Sequence, residues 1–173
     1  MTTATSISPT ELMLREFREE AAATKRILER VPADKLTWKP HDKSSSLGQL
    51  AFHIALIPKR IAGLVQADHF DVSTANFTPP QPTSLEEIHA AFAESVRAAE
   101  AYLASLTEES ASANWRLTFG PKEIFTKPRI GVIRTMLMNH LYHHRGQLTV
   151  YLRLLGVSLP VIYGRTADEN PFG

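Results

Sequence analysis

Four stretches of this 173-residue chain carry apolar side chains at the three- and four-residue spacing of helices that bury one stripe. Proline-containing segments separate the stretches, which span residues 9–30, 46–64, 84–106 and 128–155. Strand-like alternation is absent from them, and only residues 115–118 could pair as a short strand. We therefore predict one all-α domain over residues 1–173, a four-helix bundle whose long loops allow at least one crossover connection.

Local signals predict where these helices begin and end. Ser8 is followed by proline and, three residues later, by glutamate, while Ser46 has glutamine three residues later, which is the pattern of a capping box. Pro58 lies inside the second stretch, but the apolar pattern continues past it, so we expect a kink rather than an end. Gly156 ends the last helix, and the polar tail after it is predicted to lie over the bundle as a loop.

The charge balance argues against two classes of partner. Lys and Arg total 19 against 18 Asp and Glu, so no net field draws the chain to nucleic acid or to an anionic membrane.

The first residues lack the order of a secretory signal, and no run of 18 residues stays apolar, which predicts a cytoplasmic protein. The 43% hydrophobic content exceeds what one small bundle buries, so we expect a homodimer. We also expect the partner of this protein to be a small-molecule substrate.

The chain has no cysteine, which excludes disulfides, a protein thiolate nucleophile and cysteine-ligated metals. Histidine, aspartate and glutamate are then the remaining strong metal ligands. His140 and His144 lie four residues apart in the last predicted helix, so they share a face and can reach one ion. They share a helix face with the apolar residues Leu137 and Leu148, which predicts that both imidazoles face the bundle interior.

His53 adds a third inward imidazole, because it occurs on the apolar face of the second helix beside Leu50 and Ile54. Three neutral imidazoles meeting in a core match the ligands of a zinc or nickel ion that keeps open positions. A hydrogen-bonded polar cluster is the alternative interpretation, but without an acidic partner such a cluster is a poor network. We favour the metal site.

The other histidines are not predicted to be ligands. His143 is turned by about 100° from its neighbour around an ideal helix, which prevents it from sharing the ion easily. Three more, in loops or on a polar face, are interpreted as solvated side chains: His41, His69 and His89. Arg145 and Gln147 are interpreted as inter-helix or capping hydrogen bonders without a chemical role.

Several of these segments together resemble the DinB-like superfamily, the damage-inducible-protein-like bundles that include bacillithiol transferases. The similarity spans nearly the whole chain and is carried by Trp38-Lys39-Pro40, by Ser46 to Leu50 leading to His53, by His140 to Arg153, and by Tyr163-Gly164. The resemblance implies a four-helix bundle with unusual crossover connectivity, a divalent ion held by His53, His140 and His144, and frequently a homodimer.

The resemblance also limits the expected chemistry, because the superfamily contains thiol transferases and a maleylpyruvate isomerase branch. We expect a metal-dependent S-transferase that uses a low-molecular-weight thiol, such as bacillithiol, mycothiol or glutathione, against small electrophiles. Since the chain lacks cysteine, that thiol must be external. A metal-dependent hydrolase and a non-catalytic, metal-binding stress-response dimer are the alternatives. Three nitrogen ligands favour an enzyme, since structural zinc sites normally close with four ligands.

Overall fold

Four long helical segments dominate the structure, a computed structural model in which residues 7–78 and 80–172 are described. The helices are α1 (Pro9–Leu28), α2 (Leu47–Leu64), α3 (Leu85–Ser105), the short α4 (Glu108–Ser112), α5 (Arg129–Ile133) and α6 (His140–Leu154). A π-helical segment, Arg134–Asn139, joins α5 directly to α6. Both ends of the predicted domain, residues 1–6 and 173, lie outside the described residues.

The predicted helix starts are present. The Ser8 side chain accepts a hydrogen bond from the Glu11 backbone N–H at 3.1 Å. At α2, the Gln49 N–H donates to Ser46 Oγ at 3.1 Å, and the Ser46 N–H donates to Gln49 Oε1 at 3.0 Å. This reciprocal capping box satisfies two amides that would otherwise have no partner in the first turn.

Helix α2 continues through Pro58 as expected. The next residue, Lys59, donates its backbone N–H to Ser95 Oγ of α3 at 2.7 Å, and Ser95 is fully buried. A side chain of the neighbouring helix thus satisfies a backbone amide beside the proline, where helical hydrogen bonding is weakened.

The helices form a ring in which chain neighbours are not all spatial neighbours. Helix α1 packs against α3 and α6, and α2 packs against the same two helices. Consecutive helices α1 and α2 therefore lie diagonally across the bundle, and residues 29–46 cross one end of it, as the crossover prediction required. The core between them is fully buried and includes Phe17, Ile54, Ile88 and Leu141.

The predicted helical bundle is present, but the fold is not exactly all-α, because a three-stranded sheet packs beside the helices. Strand β1 (His69–Asp71) is parallel to β2 (Asn114–Phe119), which is antiparallel to β3 (Lys122–Pro128). In β2 the side chains of Trp115 and Leu117 are buried. The sequence pattern underestimated the sheet because β1 is only three residues long and β3 buries no side chain.

The tail after α6 lies over the bundle as a loop, without helix or strand in residues 157–172. Glu169 pairs with Arg30 at 2.7 Å, and Asp168 pairs with Arg153. None of the described helices has the length and apolar character needed to cross a membrane.

Candidate metal centre

Three imidazoles from two helices meet at one point of the bundle. His53 of α2 and both His140 and His144 of α6 place one ring nitrogen each within 4.8 Å of the others. Their ring centroids are 4.6 to 5.2 Å apart, and all three side chains are half-buried. The convergence expected from the sequence is therefore present.

The spacing of these nitrogens fits a divalent ion. His53 Nε2 lies 3.3 Å from His140 Nε2. Two ligands of a tetrahedral zinc ion with bonds of about 2.0–2.1 Å lie about 3.3–3.4 Å apart, so these two atoms already have the separation of neighbouring corners. Within residues 7–78 and 80–172, no further histidine, aspartate or glutamate joins the group. Three nitrogen donors and an open side match the ligand set of a catalytic rather than a structural zinc site.

Burial keeps the three imidazoles neutral, the form that binds metals. Desolvation, reinforced by the nearby His144 and His140, lowers the pKa of His53 to about 4. Desolvation also lowers the pKa of His140, although a hydrogen bond to the Met136 backbone opposes it. The pKa of His144 falls for the same reason, opposed by a hydrogen bond to Gln147.

Gln147 orients one of the three clustered histidines, a role that the sequence interpretation missed. His144 Nδ1 and Gln147 Oε1 are 2.7 Å apart, so the ring donates its Nδ1–H to the amide oxygen. The second ring nitrogen, Nε2, then carries the lone pair, and outer partners of this kind fix the tautomer of metal-binding histidines. The i, i+3 spacing of these residues in a helix was the available sequence signal.

A local irregularity precedes His140, the first clustered histidine of α6. The π-helical segment Arg134–Asn139 ends immediately before His140, and its inner residues Leu137 and Met138 are fully buried. The wider turn changes the angular position of His140 relative to the upstream stripe, as π-bulges often do near functional sites. Regular α-helical geometry of 3.6 residues per turn, applied from Leu137 onward, therefore does not give the direction of the His140 side chain correctly.

The structure also corrects which side chains of α6 face the core. Arg145, not His144, lies on the deeply buried stripe with Leu141 and Leu148, and only 3% of Arg145 is exposed. Its guanidinium pairs with Glu20 of α1 at 2.6 Å and donates to the Tyr163 hydroxyl of the tail. The histidines occupy the edge of the core, where they remain accessible from one side.

The first turn of α2, one turn before His53, is positioned by a close backbone approach to the preceding loop. The Gly48 N–H donates to the Leu36 carbonyl at 2.8 Å, and a Cβ on Gly48 would lie 2.8 Å from that oxygen. The cap residue Ser46 also donates its hydroxyl to Gln81 Oε1 at 2.8 Å. Only glycine fits this contact without movement of the loop before α2.

The histidines predicted to be non-ligands do not join the cluster. The exposed His143 has its ring centroid 4.9 Å from that of His144, but it is not part of the converging group. His69 lies 2.8 Å from Thr118 Oγ1 in the sheet. His41 accepts a hydrogen bond from a loop amide, and His89 is exposed on α3.

Two chambers open onto the histidine cluster. The polar chamber has a volume of about 340 Å³ and is lined by Ser44, Ser45, Leu50, His53, Phe77, His144, Gln147 and Tyr151. The apolar chamber has a volume of about 370 Å³ and is lined by Ile61, Leu64, Phe70, Val72, Phe77, Leu117, Thr135, Met136 and His140. Two histidines of the cluster line the polar chamber and the third lines the apolar chamber, so the cluster lies beside both, and Phe77 also lines both.

Trp38 helps to build the polar chamber. Its ring packs edge-on against Tyr151 with centroids 5.9 Å apart, and the Tyr151 hydroxyl donates to the Ser45 carbonyl at 3.3 Å. These contacts hold the loop before α2 on α6, next to His144.

Comparison with known proteins agrees with this architecture. The DinB family profile matches residues 1–170. A curated relative, the uncharacterized protein YrdA of Bacillus subtilis, is 27% identical over 162 residues, which cover 90% of this chain and 89% of YrdA.

Two solved structures share the fold. A DinB-like protein from Bacillus cereus has a TM-score of 0.67 and 24% identity, covering 87% of this chain and 95% of its own. The DinB-like protein YjoA of Bacillus subtilis has a TM-score of 0.68 and 20% identity, covering 90% of this chain and 99% of its own. The bundle, the sheet beside it and the profile match over almost the full length lead to one conclusion: this chain belongs to the DinB family.

Proposed function

We propose that this protein is a metal-dependent transferase that joins a small thiol to a small electrophile. Its divalent ion, zinc or nickel, is held by His53, His140 and His144. The observation that carries the proposal is the convergence of three imidazole nitrogens beside two chambers, without a fourth histidine or carboxylate ligand in the described part of the chain. The resemblance to bacillithiol transferases supports the same reaction class.

A divalent ion at this position would supply the positive charge that keeps a bound thiol ionised at neutral pH. The chain has no cysteine of its own, so the nucleophile must enter from solution. His53 and His140 present facing nitrogens, while Gln147 holds the tautomer of His144. These side chains are neutral ligands, so they leave the positive charge of the site available to an anionic sulfur.

The two chambers give each reactant its own approach to the histidine cluster. Polar groups such as Ser44 and Gln147 line the side next to His144. Aliphatic and aromatic side chains line the side next to His140. Reactants bound on opposite sides are brought together at the cluster, which converts an encounter in solution into a reaction between positioned groups.

The test combines metal analysis with turnover. Freshly purified protein is analysed for bound metal and then incubated with a panel of thiols and monochlorobimane. We expect metal-dependent conjugation that His53→Ala reduces to the background rate and that the control His143→Ala retains. Metal-dependent hydrolysis of ester substrates without thiol would contradict the proposal and identify a hydrolase. Bound metal without turnover in either assay would contradict it and identify a non-catalytic metal-binding protein.

A further inference from the structure

We propose that the apolar chamber is the binding site of the electrophile and that it selects an uncharged aromatic or branched alkyl compound over an anionic one. The inference rests on the proposed transferase function and adds the class of its second substrate.

The lining of the apolar chamber carries the first argument. Its described residues include no lysine, arginine, aspartate or glutamate. Besides the His140 imidazole, the polar side chain is that of Thr135, whose hydroxyl already donates to the Gly131 carbonyl at 2.8 Å. A carboxylate or phosphate placed here would lose hydration without gaining a counter-charge, whereas an uncharged apolar group would gain from leaving water.

The size of the chamber carries the second argument. A closed apolar cavity of about 150 Å³ is enough to admit benzene. The apolar chamber has about 370 Å³, which accommodates a substituted aromatic ring or a branched alkyl chain. Phe70 and Phe77 provide aromatic faces on its walls, and such rings pack favourably with a bound ring.

The position of the chamber sets the reaction geometry. His140 lines it, while His53, with its Nε2 3.3 Å away from that of His140, lines the polar chamber. An organic halide whose apolar part fills the apolar chamber therefore presents its reactive carbon at the histidine cluster. There the thiol sulfur forms a bond to that carbon as the carbon–halogen bond breaks, the halide leaves with the bonding electrons, and the thiol proton passes to solvent.

Phe77 is the specificity residue that this arrangement indicates. It lines both chambers although 70% of its surface is exposed. This side chain is not among those packed on the core, and it forms part of the wall of both chambers. Phe119 is a matched control, because it is also a largely exposed aromatic residue, at 59%, but does not line either chamber.

The first experiment measures binding without metal or turnover. Chelator-treated, ¹⁵N-labelled protein is titrated with benzyl alcohol and, separately, with benzoate, which share a ring and differ in charge. We expect benzyl alcohol to shift amide signals of Val72, Leu117 and Met136, and benzoate to bind at least several-fold more weakly. Equal binding of both, or shifts confined to the separate α1–α3 groove around Phe92, would overturn the proposal.

Variants sharpen this measurement. Phe77→Ala is expected to weaken benzyl alcohol binding several-fold, and Phe119→Ala to leave it unchanged. Thr135→Lys introduces a cation at an exposed position on the chamber wall. It is expected to strengthen benzoate binding by about fivefold, the equivalent of about 1 kcal/mol for an exposed ion pair. An unchanged benzoate affinity in Thr135→Lys would contradict the assignment of this wall.

The second experiment measures turnover with metal-loaded protein and a thiol. Benzyl chloride and 4-(chloromethyl)benzoate share the reactive carbon, and we expect a clearly higher kcat/KM for the neutral compound. Equal values would overturn the substrate class while leaving the transferase function in place. Absence of turnover with every thiol, together with benzyl alcohol bound in the apolar chamber, would overturn the transferase function and leave the chamber assignment in place.

Discussion

His53 Nε2 lies 3.3 Å from His140 Nε2, although 87 residues separate them in the chain. When each of these neutral imidazoles carries its proton on Nδ1, two Nε2 lone pairs face each other at this distance. A cation bound by both nitrogens and by His144 resolves this arrangement. The packing of α2 against α6, which are neighbours in the ring of helices, produces the contact.

We predict that His53→Ala weakens metal binding and removes most of the metal-dependent stability. An ion that binds only the folded state stabilises it by about 2.7 kcal/mol at 100 times its Kd. For a chain of this size that corresponds to a Tm change of about 5–10 °C. Calorimetry with and without chelator should therefore show a clear Tm decrease for the wild type and a much smaller one for the variant. An equal chelator response in both would make His53 a core histidine without a ligand role.

We predict different results from substitution of the neighbouring histidines of α6. His140→Ala should remove most bound metal, because its imidazole lies in the converging group, whereas the exposed His143 should tolerate alanine with little loss. Metal content after gel filtration, measured by atomic emission, gives the comparison. The ligand assignment on α6 does not survive if the two variants lose the same amount.

Gly48→Ala is predicted to destabilise the protein even though alanine is the better helix former. The new Cβ would lie 2.8 Å from the Leu36 carbonyl oxygen and 2.9 Å from Gln81 Nε2, so the loop before α2 must move. We expect a loss of about 1–3 kcal/mol in the free energy of unfolding, the usual cost of overpacking. Gly63→Ala in the same helix meets no atom within 4 Å and should instead stabilise by about 0.5–1 kcal/mol. Urea denaturation of both variants tests the contrast, and a stable Gly48→Ala would contradict it.

The ion pair between Glu16 and Arg134 is predicted to make stability fall in acid. Hydrogen bonds from Arg134, at 2.6 Å, lower the pKa of Glu16 below its ordinary 4.5, and the Tyr142 hydroxyl adds a further bond at 2.7 Å. Because the pKa is lower in the folded state, this stabilisation is present above the ordinary glutamate pKa. It is lost as the pH falls through the folded value.

Glu16→Gln should therefore lower the Tm at neutral pH and flatten its decrease below pH 4.5. The pair is partly exposed, so we expect a loss of about 1 kcal/mol or less. Glu11→Gln, which removes a more exposed pair with Arg15 in the same helix, is the control and should cost less. Parallel pH profiles for wild type and Glu16→Gln would contradict the prediction.

We expect the protein to form a homodimer in solution. The hydrophobic content of 43% is high for one small bundle, and large apolar side chains such as Leu154, 62% exposed, remain on the surface of this chain. Light scattering at tens of micromolar should give twice the mass of the 19.3 kDa chain. A monodisperse monomer at that concentration would refute the expectation.

The sequence by itself determined the four long helical segments and the three clustered histidines. Ser8 and Ser46 marked two helix starts because capping depends on residues only three positions apart. The i, i+4 spacing placed His140 and His144 on one face for the same reason, and the apolar neighbours of His53 directed attention to it. Interactions within one or two helical turns are local, so a single sequence displays them.

Tertiary structure decided what the sequence could not show: the sheet, the π-helical segment and the two chambers. Phe70 of β1 and Leu117 of β2 form part of the apolar wall, although β1 is only three residues long and β2 only six. Arg145 became a buried partner of Glu20 because α1 packs against α6, which no local pattern near residue 145 indicates. Strand pairing and chamber walls depend on contacts between residues far apart in the chain. These contacts stabilise the structure only once the segments pack together, so a local sequence pattern does not show them.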